Sequence, residues 1–173
     1  ALSLLAGFDP LTGLPNRRLF DDRLEQAIRR HSRKDAEGGV ALIFLDLDGF
    51  KPINDKHGHK FGDTVLRIVA SRITEAIRPG DTVSRWAGDE FVVLVEDAGE
   101  GAIIEMIERL RERIEQAIEI DEVAVRVLAS IGAACYPDEA SSAAQLLELA
   151  DRRMYKNKEV RRRGNTVVVN QHQ

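Results

Sequence analysis

Apolar residues recur along this chain with two different periods, and the periods alternate. Spacings of three and four predict helices over about 17 to 31, 63 to 77, 100 to 118 and 142 to 158. In the second, Val65, Leu66, Val69, Ile73, Ala76 and Ile77 share one face; in the third, Ile103, Ile104, Ile107, Leu110, Ile114 and Ile118 do so. Runs rich in branched and aromatic residues predict strands over about 40 to 46, 82 to 86, 91 to 96, 123 to 135 and 166 to 169. Residues 35–39 and 137–142 read as loops. This order implies an α/β sandwich whose central sheet is mixed, mostly antiparallel, and flanked by helices.

Two of the strands end in acids. Val40 to Leu45 is an almost unbroken apolar run that closes on Asp46-Leu47-Asp48. Arg85-Trp86-Ala87-Gly88-Asp89-Glu90-Phe91 stands between Val83 and the run Phe91 to Val95, and reads as a β-hairpin with carboxylates at its tip. A buried strand can deliver a terminal acid into a cleft while its body fills the core. If the two elements lie side by side, Asp46 and Asp89 converge on one hard cation. Mg²⁺ suits such a site, since it takes one or two carboxylates and leaves room for water and substrate phosphates. Two solvated strand ends that never meet would give the same pattern.

The order of the remaining motifs bears on that choice. Asp9-Pro10-Leu11-Thr12-Gly13-Leu14-Pro15-Asn16-Arg17-Arg18 comes first, followed by Asp46-Leu47-Asp48-Gly49-Phe50-Lys51-Pro52-Ile53-Asn54-Asp55-Lys56-His57-Gly58-His59-Lys60-Phe61-Gly62-Asp63. Then come Ala87-Gly88-Asp89-Glu90-Phe91, Ala129-Ser130-Ile131-Gly132 and Ala150-Asp151 with Met154-Tyr155. In this order and spacing the chain resembles the GGDEF family of diguanylate cyclases from Asp9 to Asn165. The resemblance implies a palm-like fold related to nucleotide cyclases. It also implies that each monomer binds one GTP and that two monomers meet transiently to make cyclic di-GMP.

Carried over by position, the resemblance makes Asp46 and Asp89 the Mg²⁺ (or Mn²⁺) carboxylates, with the Leu47 carbonyl as a further ligand. Glu90 matches the residue that helps deprotonate the attacking 3′-hydroxyl or binds metal, and Ala87 and Gly88 match substrate-contacting positions. The turn Gly49-Phe50-Lys51 matches the phosphate loop, where backbone N–H groups and an ammonium meet developing charge. Asn54 and Asp63 match guanine-reading positions. Their chemistry is apt, because a carboxylate accepts from guanine N1–H and N2–H₂ together, whereas adenine lacks that donor pair. Asp63 also reads as an acid at the N-terminus of a helix. His59 is expected to line the base pocket and His57 to be structural.

Lys158 and Arg162 fall where the family places cations for the β- and γ-phosphates, although a basic last turn also complements a helix dipole. Arg153, Asn157 and Arg161 depart from the family pattern, which has small residues at the first two positions and Gly at the third. Arg78-Pro79-Gly80-Asp81, separated from Ala87 by the five residues Thr82 to Trp86, matches the product-inhibition site that clamps cyclic di-GMP, with Arg109 as a third ligand beside the alternatives Arg111 and Arg113. Guanidinium suits that task, since its planar fork meets phosphate bidentately and stacks on a base. Ala87 replaces the first Gly of the signature. This keeps open a catalytically silent domain that only binds GTP or cyclic di-GMP, because Ala at a turn position needing positive φ costs about 1–2 kcal/mol.

At 173 residues, 43% hydrophobic and 31% charged, the chain fits one domain, taken as residues 9–173. A net charge of −4 argues against a nucleic-acid partner, even with the basic group Arg29, Arg30, Arg33 and Lys34. The single Cys135 follows an apolar run and suits packing in a reducing compartment. No apolar run approaches the ~20 residues that cross a bilayer, so no membrane contact is expected of this fragment. Residues 1–8 read as the end of a helix entering from an upstream sensor domain. That places the chain in a longer signalling protein, either cytoplasmic or the cytoplasmic part of a membrane-anchored one.

Overall fold

The computed structural model describes residues 6–33 and 38–170, with side chains as far as Arg163. Of the stretch read as an incoming helix, residues 1–5 lie outside that range, while Ala6 and Gly7 form a turn and Phe8 bridges to Pro15. Helix α1 (Arg17–His31) starts at Asn16, whose side-chain Oδ1 accepts from the Leu19 N–H at 3.0 Å. Strand β1 (Val40–Asp48) then leads into two short-linked helices, α2 (Phe50–His57) and α3 (His59–Ala76). The hairpin β2 (Thr82–Ala87) and β3 (Glu90–Glu96) precedes α4 (Glu100–Ile114), the small ribbon β4 (Ile118–Ile120) and β5 (Val123–Val125), strand β6 (Leu128–Tyr136) and α5 (Ala143–Asn170).

The main sheet has the order β2-β3-β1-β6 and every pairing in it is antiparallel, which resolves the mixed sheet expected from the sequence. β1 lies inside the sheet and is covered on both faces, so seven of its residues need to be apolar. Its odd positions Ala41, Ile43, Leu45 and Leu47 pack with α2, α3 and α4; its even positions Val40, Leu42 and Phe44 pack with α1 and α5. Asp46, an even position, therefore points to the α5 face.

Several boundaries move for local reasons. α2 was expected to be a turn, but Gly49 takes φ 84° and the chain enters a helix at once, with Pro52 in the first turn where a missing N–H costs nothing. Gly58 (φ 90°, ψ 167°) keeps α2 and α3 separate and moves the next helix start from 63 to 59. The helix expected to reach 118 stops at Ile114. Asp121 and Glu122, both at positive φ, close a two-residue hairpin that joins β4 to β5, and the expected strand 123–135 divides at Arg126-Val127 into β5 and β6. The strand expected at 166–169 is a continuation of α5. A helix supplies each of those residues a partner four positions back, whereas a four-residue strand needs a free edge.

Gly132 of β6 lets α5 lie on the sheet. A Cβ there would stand 2.1 Å from Met154 N, 2.4 Å from Ala150 O and 2.6 Å from Arg153 C, so helix backbone meets strand backbone with no room for a methyl group.

Candidate active site

The β2–β3 hairpin pairs Ala87 with Glu90, leaving Gly88-Asp89 as the two-residue tip. Positive φ falls on Gly88 (47°) and not on Ala87, whose side chain is exposed. The backbone cost anticipated for Ala87 is therefore absent. Arg85 braces the turn from below: its Nε donates to Gly88 O at 2.8 Å and its Nη1 to Asp9 Oδ1 at 3.2 Å. Asp9 is itself fixed by the Thr12 N–H (2.9 Å) and hydroxyl (2.7 Å), so the first motif in the chain holds the signature hairpin in place. Beside it the Arg17 guanidinium lies 4.3 Å above the Trp86 ring.

In register, Asp46 stands between Glu90 of β3 and Ser130 of β6, and Leu47 N donates to Asp89 O at 3.2 Å. The two acidic strand ends thus meet. Asp46 is 6% exposed; its Oδ2 accepts from Lys158 Nζ at 2.6 Å, and its Oδ1 is buried without a partner. Lys158 also lies 3.7 Å from Asp48 Oδ1, while Ser130 Oγ donates to Asp48 Oδ2 at 2.5 Å. Burial, followed by the negative charge of Asp46, pushes Asp89 up to about 6. Glu90 is raised too, by burial first and then by Asp46, Asp151 and Asp89. Burial works against the charged form of Lys158, but the hydrogen bond and charge of Asp46 outweigh it and hold the ammonium above its ordinary range.

Too much negative charge for the cations at hand, plus an unpartnered buried carboxylate oxygen, is what a hard divalent cation relieves. Among the described residues no three His, Cys, Asp or Glu side chains form a closed metal cage. The donor set of Asp46, Asp89 and the Leu47 carbonyl fits an ion shared with phosphate oxygens. Asp48, Ser130 and Asp151 belong to this cluster without having been assigned to it from the motifs. For Asp48 the signal was available, because a residue two positions after Asp46 shares its strand face.

The guanine-reading candidates gather on the other side of β1. Asn54 Oδ1 is buried without a partner, and Asn54 Nδ2 lies 3.2 Å from His59 Nδ1. Gly62 packs against that amide: a Cβ would stand 2.1 Å from Asn54 Oδ1. Asp63 follows on α3, beyond its first turn, which weakens the reading of it as a helix-terminal acid. His57 stacks on Phe61 at 4.6 Å, Phe50 packs against the core, and Lys51 is exposed.

At the far end of the hairpin Arg78 Nε and Nη2 donate to the two Asp81 oxygens at 3.2 and 3.3 Å, and Nη2 also donates to Glu96 O at 2.8 Å. Arg109 Nε donates to Ala76 O at 2.7 Å, two residues from Arg78, whereas Arg111 turns toward Asn157 and Arg113 toward Glu75. Arg109 and Arg113 thus both reach the end of α3, and of the three alternatives only Arg111 points elsewhere. A cavity of about 310 Å³ opens beside Arg78 and Asp81. Arg162 and Lys158 share the helix face next to the carboxylates, and the positive charge of Arg162 is felt at Lys158. No helix among the described residues is long and apolar enough to cross a membrane.

A family model described as "Diguanylate cyclase, GGDEF domain" matches residues 6–164. The bifunctional diguanylate cyclase/cyclic di-GMP phosphodiesterase MucR of Pseudomonas aeruginosa is 46% identical over 160 residues, covering 92% of this chain and 23% of that protein. This chain thus spans under a quarter of that relative. Among solved structures, the GGDEF domain of TpbB from Pseudomonas aeruginosa is 39% identical with a TM-score of 0.82, covering 88% of each chain. The GGDEF domain of DgcB from Caulobacter crescentus, in complex with c-di-GMP, is 30% identical with a TM-score of 0.81, covering 89% of this chain and 91% of that one.

Proposed function

The chain belongs to the GGDEF family of diguanylate cyclase domains, and from that membership we propose that it condenses two GTP into cyclic di-GMP and two pyrophosphates. The observation that carries this reading is the meeting of Asp46, Asp89, Glu90 and Lys158 at one end of the sheet. Each 3′-hydroxyl attacks the α-phosphorus of the other nucleotide, the P–O bond to pyrophosphate breaks, and one proton leaves per bond formed. Asp46 and Asp89, with the Leu47 carbonyl, would hold Mg²⁺ or Mn²⁺, which when bound would neutralise negative charge on the substrate phosphates.

The chain's own groups divide the remaining work. Glu90, whose affinity for a proton is raised, takes the 3′-hydroxyl proton. Lys158 and Arg162 meet the β- and γ-phosphates, and Gly49, Phe50 and Lys51 line the phosphate side, with Ala87 and Gly88 against the sugar. The unpartnered Asn54 Oδ1 suits a guanine donor, with Asp63 and His59 completing the base pocket. Because one chain holds one GTP, activity requires a transient homodimer, which an upstream sensor domain joined through residues 1–8 would regulate. Cyclic di-GMP binds at Arg78, Asp81 and Arg109 and holds two domains apart.

Purified protein incubated with GTP and Mg²⁺, with products resolved by chromatography, tests the reading. Cyclic di-GMP from the parent and none from Asp89→Ala is the expected outcome. Binding of cyclic di-GMP or GTP without any product would instead assign a silent receptor, although the absence of strain at Ala87 favours the active enzyme.

A further inference from the structure

The outer edge of β6 pairs with no strand among the described residues, yet its backbone groups are bonded in sequence by side chains. Cys135 N donates to Glu139 Oε1 at 3.2 Å, Ile131 N to Asn157 Oδ1 at 3.0 Å and Ala129 N to Glu115 Oε1 at 3.1 Å. Arg153 donates to Ala133 O at 2.8 Å, and Arg161 donates to Ala129 O. Arg153 and Arg161 are tied in turn to Glu139 and Glu115. Three of these groups, Arg153, Asn157 and Arg161, are the positions that depart from the family pattern.

Their spacing matches the edge they meet. Helix residues four apart rise about 6 Å, and alternate strand residues about 6.6 Å, so 153, 157 and 161 meet 133, 131 and 129 in reverse order with almost no drift. Together with the close approach at Gly132, this fixes both the rotation and the register of α5 against the sheet. Asn157 is the residue directly before Lys158, and its Oδ1 accepts a second bond from Arg111 Nη2 at 3.3 Å.

We propose that Arg153, Asn157 and Arg161 are positioning residues: they clip α5 to the free edge of β6 and so set the Lys158 ammonium on the carboxylate cluster, where it meets substrate phosphates. Asn157 carries the largest share, since it anchors the peptide next to Lys158. The phosphate role of Lys158 rests on the function proposed above. The placement of Lys158 does not.

The experiment compares the affinities of 3′-deoxy-GTP, which lacks the attacking hydroxyl, and 3′-deoxy-GMP by calorimetry. In the parent and in Asn157→Leu, Asn157→Asp, Lys158→Ala and the double variant Asn157→Leu/Lys158→Ala, the ratio of the two affinities reads the terminal phosphates alone. Asn157→Leu should lower the ratio roughly tenfold, the size of one charge-assisted hydrogen bond. Asn157→Asp keeps an acceptor for both donors and should restore the ratio. In the Lys158→Ala background Asn157→Leu should have no further effect. Where Lys158→Ala itself lowers the ratio, equal loss of both ligands in Asn157→Leu, or losses that add in the double variant, would overturn the proposal. A crystal structure of Asn157→Leu decides the placement independently. Lys158 Nζ displaced from Asp46 supports the clip, and Lys158 unmoved refutes it, whether or not the parent makes cyclic di-GMP. If Lys158→Ala leaves the affinity ratio unchanged while Asn157→Leu displaces Lys158, the clip stands and the phosphate role of Lys158 falls.

Discussion

Gly132→Ala should damage stability and catalysis together, and the size of the effect follows from the geometry. The new methyl carbon would meet Met154 N at 2.1 Å, Ala150 O at 2.4 Å and Arg153 C at 2.6 Å. Comfortable contact lies near ~3.5 Å, so the helix must lift by about 1 Å or more. All three atoms are backbone, so no rotamer change relieves the clash. Overpacking in cores costs about 1–3 kcal/mol, and a contact of this kind belongs at the upper end. For a chain of this length about 3 kcal/mol corresponds to a fall in Tm of roughly 6–12 °C. Lys158 lies one turn beyond Met154 and moves with the helix, so kcat/KM for GTP should drop at least tenfold. Gly101→Ala provides the control, because a Cβ there meets nothing within 4 Å on an exposed helix position, and it should be neutral or stabilise by about 0.5–1 kcal/mol. Thermal unfolding and a cyclic di-GMP synthesis assay on both variants would check this. A Tm and activity for Gly132→Ala equal to the parent's would refute the reasoning about how α5 sits.

Without metal, the folded protein holds the Asp89 proton to about 6, whereas the unfolded chain releases it near 3.8. The folded pKa is the higher one, so this contribution to stability is full below about 4, fades as pH rises to about 6 and is flat above. Two units correspond to about 3 kcal/mol, reduced to about 1–2 kcal/mol by partial solvent screening. Urea unfolding of parent and Asp89→Asn between pH 4 and 7 should show a difference that changes by this amount; parallel curves would refute it. Asp63→Ser should weaken GTP use and narrow the GTP/ATP ratio of kcat/KM by about tenfold or more, because guanine donors are left unpaired. Arg78→Ala should lose most cyclic di-GMP binding by calorimetry and accumulate more product at an unchanged initial rate; purely competitive inhibition by product would contradict the second site. Specific activity should rise with protein concentration, and a rate strictly proportional to enzyme in a proven monomer would contradict the dimer.

Local chemistry in the sequence determined much of this protein. The apolar run before Asp46 specified a strand buried on both faces, the hairpin tip followed from Gly88 between two β runs, and the order of the motifs gave the family. What the chain could not declare was which groups would meet across long separations. Lys158 pairs with Asp46 across 112 residues, and Arg109 and Arg113, but not Arg111, reach the end of α3 because residues four apart share the helix face turned toward it. The helix α2 was hidden because Gly49 and Pro52 read as a turn until the chain's path beyond Gly49 is seen. Arg153, Asn157 and Arg161 looked like departures without a purpose. Their partners are backbone groups on a strand edge, which carry no side-chain signature, so only the packing of α5 on β6 shows what they hold.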